Sequence, residues 1–140
     1  MFPKHVLLVQ RGHSPGKGLL ALPGGFLEQS DTLQASAQRE LQEETGLTLS
    51  AEDWQAALQG VRVFDHPERS LRGRTITHVY VLHLPGDTLP EVNGGDDAVA
   101  ADWVPLQELW QLEPQFFEDH FHILRTCFAQ FGGGPLPALP

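Results

Sequence analysis

The segment Arg39-Glu40-Leu41-Gln42-Glu43-Glu44-Thr45-Gly46 constrains this chain more than any other. Leu33, Ala37 and Leu41 recur every four positions with polar residues between them, so residues 31–44 read as a helix with one apolar stripe. Asp31 or Ser30 is the expected N-cap, and Gly46 suits the left-handed position that ends a helix. Glu40, Glu43 and Glu44 then stand at i, i+3 and i+4, on one face and in the last turn. Like charges at this spacing repel, and the helix dipole is already negative there; each effect costs a few tenths to roughly 1 kcal/mol. Selection for folding alone would place Lys or Arg at these positions. Two readings are open: a solvated acidic face, or carboxylates gathered for a hard cation. Mg²⁺ suits the second, because it binds through a few protein oxygens together with substrate phosphates. Arg39 alone cannot neutralise three glutamates, and the upstream turn Pro23-Gly24-Gly25 offers a free carbonyl to such a shell.

The rest of the chain alternates strand and loop signals. His5 to Arg11 is a short apolar run that reads as a strand, Gly12 to Gly18 as a loop, and Leu19 to Leu22 as a strand stub closed by Pro23-Gly24-Gly25. Ala56 to Asp65 and Thr75 to Leu84 are β-rich, and a charged segment with Pro67 and Gly73 joins them. Pro85 to Gly95 reads as a second loop and Val99 to Leu106 as another strand. Phe117, Phe121, Leu124, Phe128 and Phe131 step by four and three, one face of an amphipathic helix. The expectation is an α/β sandwich forming one domain over residues 1–131, with a flexible Gly/Pro-rich tail over 132–140.

Composition narrows the function classes. Nine Lys and Arg against 18 Asp and Glu give a formal charge of −9, which argues against a nucleic-acid coat or an anionic-membrane binder. No apolar run approaches membrane-spanning length, and the start Met1-Phe2-Pro3-Lys4 is not a signal peptide, so the expected compartment is the cytoplasm. Cys127 is the single cysteine, which excludes an internal disulfide and a cysteine-rich zinc site. His120 and His122 are two apart on the last helix and face different ways, which argues against zinc there.

Gly25-x5-Asp31-x7-Arg39-Glu40-Leu41-x-Glu43-Glu44-x-Gly46-Leu47 resembles the Nudix box, with Asp31 in place of the box's first Glu. The resemblance implies a Nudix-type α/β/α sandwich with a mixed sheet between helices. It also implies Mg²⁺-dependent hydrolysis of a nucleoside diphosphate linked to another moiety, with Mn²⁺ as the alternative cation. Carried over by position, Glu40 and Glu44 are the main metal ligands, Glu43 assists, and Gly24 lends its carbonyl. Arg39 orients a glutamate by ion pairing, while Gly25, Asp31 and Gly46 support the turn and the helix ends.

Arg62, Arg69, Arg72 and Arg74 cluster beside the two β runs of an acidic chain. Guanidinium forks match phosphate oxygens, although a solvated loop would look the same. The stretch Phe64 to Thr77 resembles one Nudix subgroup, the ADP-ribose pyrophosphatase domain of bifunctional nicotinamide-mononucleotide adenylyltransferases. So do Pro15 to Leu19, Gly94 to Ala98 and Phe117-Glu118-Asp119-His120-Phe121. The expected reaction is therefore ADP-ribose plus water giving AMP and ribose 5-phosphate. Arg69, Arg72, Arg74, Phe64 and Asp97 are the candidate substrate-binding residues. Phe26 is a second aromatic weighed for base stacking, and the general base is open among Glu40, Glu43, Asp96 and Asp97. Leu20 stands where relatives often carry Trp, and few residues precede His5, so an excised domain and an absent or replaced first strand are both open. A homodimer and fusion to a larger protein are open too. Two rival functions stand beside the small-molecule hydrolase: a non-catalytic ADP-ribose-sensing module, and a pyrophosphohydrolase that clears (d)NTPs.

Overall fold

His5–Arg11 forms β1, and strand alternation sorts its side chains between two apolar clusters. Val6 and Leu8 join Leu106, Leu109, Phe116, Phe121, Leu124 and Phe128, whereas Val9 joins Ala21, Ala98, Ala101 and Phe117. The computed structural model describes residues 5–85 and 88–131; the tail expected to fray, 132–140, lies outside the described residues. After β1 come β2 (Leu20–Ala21), α1 (Leu33–Thr45), α2 (Ala51–Ala57), β3 (Leu58–Phe64), β4 (Thr77–Leu82), β5 (Ala98–Pro105), the short α3 (Leu109–Leu112) and α4 (His120–Phe131).

β1 is the middle strand of an antiparallel sheet, β2-β1-β5, in which Val6 faces Val104 and Val9 faces Ala21. β3 and β4 form a separate antiparallel pair with Val61 opposite Tyr80. Every ladder between these strands is antiparallel. The parallel component of the expected mixed sheet is a bridge between Leu20 and Phe116. The α/β class stands, with α1 lying against β4 and β5 and α4 against β3.

Among the described residues no ladder joins the two sheets. A cleft of about 770 Å³ lies along them, and residues 75–84 line it consecutively. One face of a strand would supply alternate residues, so it is the edge of β4 that borders the cleft. Trp54 Nε1 and His83 Nε2 are buried there without a hydrogen-bond partner among the described residues.

Three boundaries differ from expectation for local reasons. Thr32, not Asp31 or Ser30, caps α1: its Oγ1 accepts the Ala35 N–H at 3.1 Å, while the Asp31 carboxylate is drawn to Arg39. Gly46 ends the helix at φ 76° as expected. Ala56 and Ala57 belong to α2, not to the following strand; Ser50 caps that helix, accepting the Asp53 N–H at 3.0 Å, with Glu52 and Asp53 in the first turn. The final helix starts at His120 instead of Phe117, because Glu118 sits in the left-handed region at φ 44°.

Candidate functional site

The acidic face of α1 meets the Pro23–Gly25 turn. Glu44 is only 5% exposed, and its Oε1 accepts the Gly24 N–H at 2.7 Å. Burial pushes its carboxyl up to about 7, against the pull of that hydrogen bond, and the charges of Glu40, Asp97 and Asp96 add to the rise. Glu40, 9% exposed, is also raised by burial, with the Arg39 guanidinium opposing. Arg39 anchors the cluster: it reaches Asp31 at 2.9 Å, Glu40 at 3.1 Å, Glu28 at 3.4 Å and Glu43 at 3.5 Å. One cation thus serves four carboxylates.

Gly25 is shaped by Glu40. A Cβ on Gly25 would lie 2.7 Å from the Glu40 carboxyl group. That group ends a flexible side chain, so it can swing aside at little cost to the fold. Gly25→Ala is therefore expected to keep its melting temperature within a few degrees yet lose on the order of 10²-fold in kcat, the scale of a 1 Å misplacement. Equal losses of stability and activity, or neither loss, would contradict this reading of the turn.

The late loop completes the cluster. Asn93 N–H donates to the Thr45 carbonyl at 2.9 Å, and Gly95 approaches the Glu43 carbonyl so closely that a Cβ would collide with it. Asp96, at φ 52°, is delivered beside α1. One carboxylate oxygen from each of Glu40, Glu43 and Asp96 lies within 4.8 Å of the others. This is an oxygen-only donor set of the kind a hard divalent cation takes. Asp97 lines the cleft; its carboxylate lies 3.4 Å from His13 Nε2 and its carbonyl accepts the Gly12 N–H.

The arginines divide. The Arg69 side chain is buried, only 4% exposed, and forks onto Asp119 at 2.9 Å through Nε and again through a terminal nitrogen. Its remaining terminal nitrogen donates to Thr77 Oγ1 and the Thr75 carbonyl, so it presents no free fork to the cleft. Arg72 pairs with Glu118 at 3.1 Å and lies 5.1 Å from both the Phe26 and Phe117 rings, lining the cleft. Arg74 is exposed and makes no hydrogen bond or ion pair among the described residues. Arg62 donates to Gln130 at 2.6 Å. Phe64 packs edge-on against His122 of α4 and does not line the cleft, whereas Phe26, 68% exposed, does.

Sequence reasoning missed Arg11. It lies 3.9 Å above the Phe117 ring with Nε donating to the Pro15 carbonyl, and it lines the cleft. Its place at the end of β1, next to the Gly12 loop, was the available signal.

His120 opens α4, and its Nδ1 accepts the Leu22 N–H at 3.0 Å. Burial pushes this imidazole down to about 4, while Asp119 and Glu118 pull it up and Arg69 and Arg72 push it down. The unfolded chain takes up this proton near the ordinary value of 6.5, the native chain only near 4. The contribution to stability is thus complete above pH 6.5 and is lost as pH falls toward 4, on the order of 3 kcal/mol across the window. In urea melts at stepped pH, His120→Asn should show a correspondingly shallower acid slope than the parent. Superimposable slopes would contradict the buried neutral ring.

Among known proteins, the NUDIX domain family matches residues 1–127. The chain is 37% identical over 120 residues to an ADP-ribose pyrophosphatase of Methanocaldococcus jannaschii, covering 86% of this chain and 63% of that protein. It is 32% identical over 127 residues to the ADPR responsive transcriptional repressor NtrR of Acinetobacter baylyi, covering 89% of this chain and 47% of the repressor. A crystal structure of a bifunctional NMN adenylyltransferase/ADP ribose pyrophosphatase from Francisella tularensis superposes with a TM-score of 0.89 at 40% identity, covering 93% of this chain and 38% of that one. The same bifunctional protein has been solved with AMP and a Mn ion. The chain therefore spans less than two thirds of each of these relatives.

Proposed function

The chain belongs to the NUDIX family, and from that premise we propose that it hydrolyses ADP-ribose to AMP and ribose 5-phosphate with a divalent cation, Mg²⁺ or Mn²⁺. The observation that carries the reading is the convergence of Glu40, Glu43 and Asp96 beside a cleft that Glu40, Glu44 and Gly24 line. The donor set fits the cation: all ligands are oxygens, and Arg39 alone cannot balance them. Glu40, Glu43 and Asp96 would hold it, with Glu44 and the Gly24 carbonyl completing the set. When bound, the cation supplies charge neutralisation on the pyrophosphate and a nucleophile competent at neutral pH.

The protein's own groups do the rest. Arg39 fixes the Glu40 and Glu43 carboxylates, and the Gly24 N–H holds Glu44. Arg72 and Arg11, both stacked on Phe117, bring positive charge to the pyrophosphate, and Phe26 offers an exposed aromatic surface for a base. Water adds to one phosphorus, the bridging P–O bond breaks, and the water's proton passes to a cleft-lining carboxylate, Glu40 or Asp97. Asp31 braces Arg39 from the helix start.

The resemblance to a repressor that responds to ADP-ribose supports a second reading, ligand sensing without turnover. A panel of ADP-ribose, NADH, dinucleoside polyphosphates and dNTPs, compared by kcat/KM in Mg²⁺, tests substrate class. ADP-ribose should lead the panel; a dNTP ahead of it would overturn the assignment.

A further inference from the structure

We propose that His120 is a positioning residue for the Leu22–Gly25 turn, and that through this turn it sets the carboxylate cluster for its cation. The proposal rests on the cation-dependent reading above and extends it to a residue outside the acidic helix. The turn carries two obligations toward α1. Gly24 must aim its N–H at Glu44, and Gly25 must lie flat against the Glu40 carboxyl. Neither glycine has a side chain with which to anchor itself. The grip on the turn comes from the residue before Pro23: Leu22 donates its N–H to His120 Nδ1 at 3.0 Å. Pro23 has no N–H to offer, so the Leu22 amide is the last donor before Gly24 on this stretch.

The ring is itself well held. It stacks edge-on against Phe117 at 5.5 Å, and the Phe117 N–H donates to the Leu20 carbonyl at 2.7 Å, two residues before Leu22. The residues just before His120 grip a different loop: Asp119 forks onto Arg69, and Glu118 accepts from Ser70 at 2.6 Å and from Arg72. Four consecutive residues, 117–120, therefore tie the Gly24 turn and the arginine loop to one point at the start of α4.

The test uses the full chain and two readouts, Mn²⁺ affinity by electron paramagnetic resonance and steady-state kinetics with ADP-ribose. The variants are His120→Leu, His120→Asn and His120→Gln. Asn carries its side-chain oxygen near the position of Nδ1, whereas Gln reaches toward that of Nε2. We expect His120→Leu and His120→Gln to weaken Mn²⁺ binding and lower kcat by about 10-fold or more, as loss of an outer partner of a metal site does, with KM for ADP-ribose within about twofold. His120→Asn should recover Mn²⁺ affinity to within about threefold of the parent. A merely structural role would lower the melting temperature and leave Mn²⁺ affinity, measured below that transition, unchanged; that result overturns the proposal. If His120→Leu does not fold, the Asn and Gln variants decide alone, and equal Mn²⁺ affinity for the two overturns it. A parent chain that binds Mn²⁺ but leaves ADP-ribose intact would remove the hydrolytic reading, while the affinity comparison would still judge His120.

Discussion

Glu44→Gln is expected to fold as the parent does and to lose on the order of 10²-fold or more in kcat, the scale of removing one strong electrostatic contribution. The amide keeps the size of the side chain and an oxygen for the Gly24 N–H, so the turn stays in place. Only the charge goes. Glu44 separates catalysis from folding because the fold disfavours its ionised form. Its carboxyl, raised by burial to about 7, holds its proton in the native chain over a range where the unfolded chain has lost it. Native stability therefore falls as pH rises from the ordinary value of 4.5 toward 7, and the glutamine variant escapes that loss. Without added metal at neutral pH the variant should melt no lower than the parent. With Mg²⁺ the parent should gain stability by linkage and the variant should gain less. Near-parental turnover, or an equal Mg²⁺ response in both proteins, would contradict a cation role for Glu44.

The second large effect separates Arg69 from Arg74, which the sequence presents as equals. Arg69→Ala leaves Asp119 without its forked partner and Thr77 without a donor. Breaking a buried pair in this way costs about 3–5 kcal/mol, and Asp119 is partly exposed, so about 3 kcal/mol is expected. Arg74→Ala touches no contact among the described residues, and its stability should stay within about 0.5 kcal/mol of the parent. Arg72, unlike Arg74, lines the cleft, so Arg72→Ala is the variant expected to lose roughly 10- to 150-fold in kcat/KM for ADP-ribose, the worth of one charge-assisted contact. Thermal melts and kinetics on the three variants check this. A stable Arg69→Ala with impaired binding, or an Arg72→Ala with parental kcat/KM, would reverse the division of labour.

What could be read from the sequence follows the range of the interactions involved. Helix α1 was legible because its evidence is local: a four-residue apolar period, a terminal glycine, and three glutamates on one face. Even so, the N-cap fell one residue from expectation, because Asp31 is committed to Arg39 eight residues away. Helix α2 escaped notice although Ser50 and Asp53 formed its capping signal, because Ala56 and Ala57 were absorbed into the β-rich run that follows. The arginine loop was legible as a cluster but not as a mechanism. Arg69 finds its partner fifty residues later in Asp119, and no periodicity encodes a contact of that range. Phe64 illustrates the same limit: a strand-end aromatic has two sides to choose from, and α4 took it. Asp96 was in view only as one of several bases; its approach to Glu40 and Glu43 depends on the close passage of Gly95 over α1.

If the Glu40, Glu43, Glu44 and Asp96 carboxylates hold a cation in order to cleave a pyrophosphate, the cleavage is visible at the phosphorus atoms. The decisive experiment is phosphorus NMR of ADP-ribose incubated with the full chain, with Mg²⁺ and then with a chelator. Both pyrophosphate resonances are expected to disappear in Mg²⁺, replaced by those of AMP and ribose 5-phosphate, and the chelator to stop the conversion. Saturable binding of ADP-ribose in Mg²⁺ with its pyrophosphate resonances intact would rule out hydrolysis at this cluster.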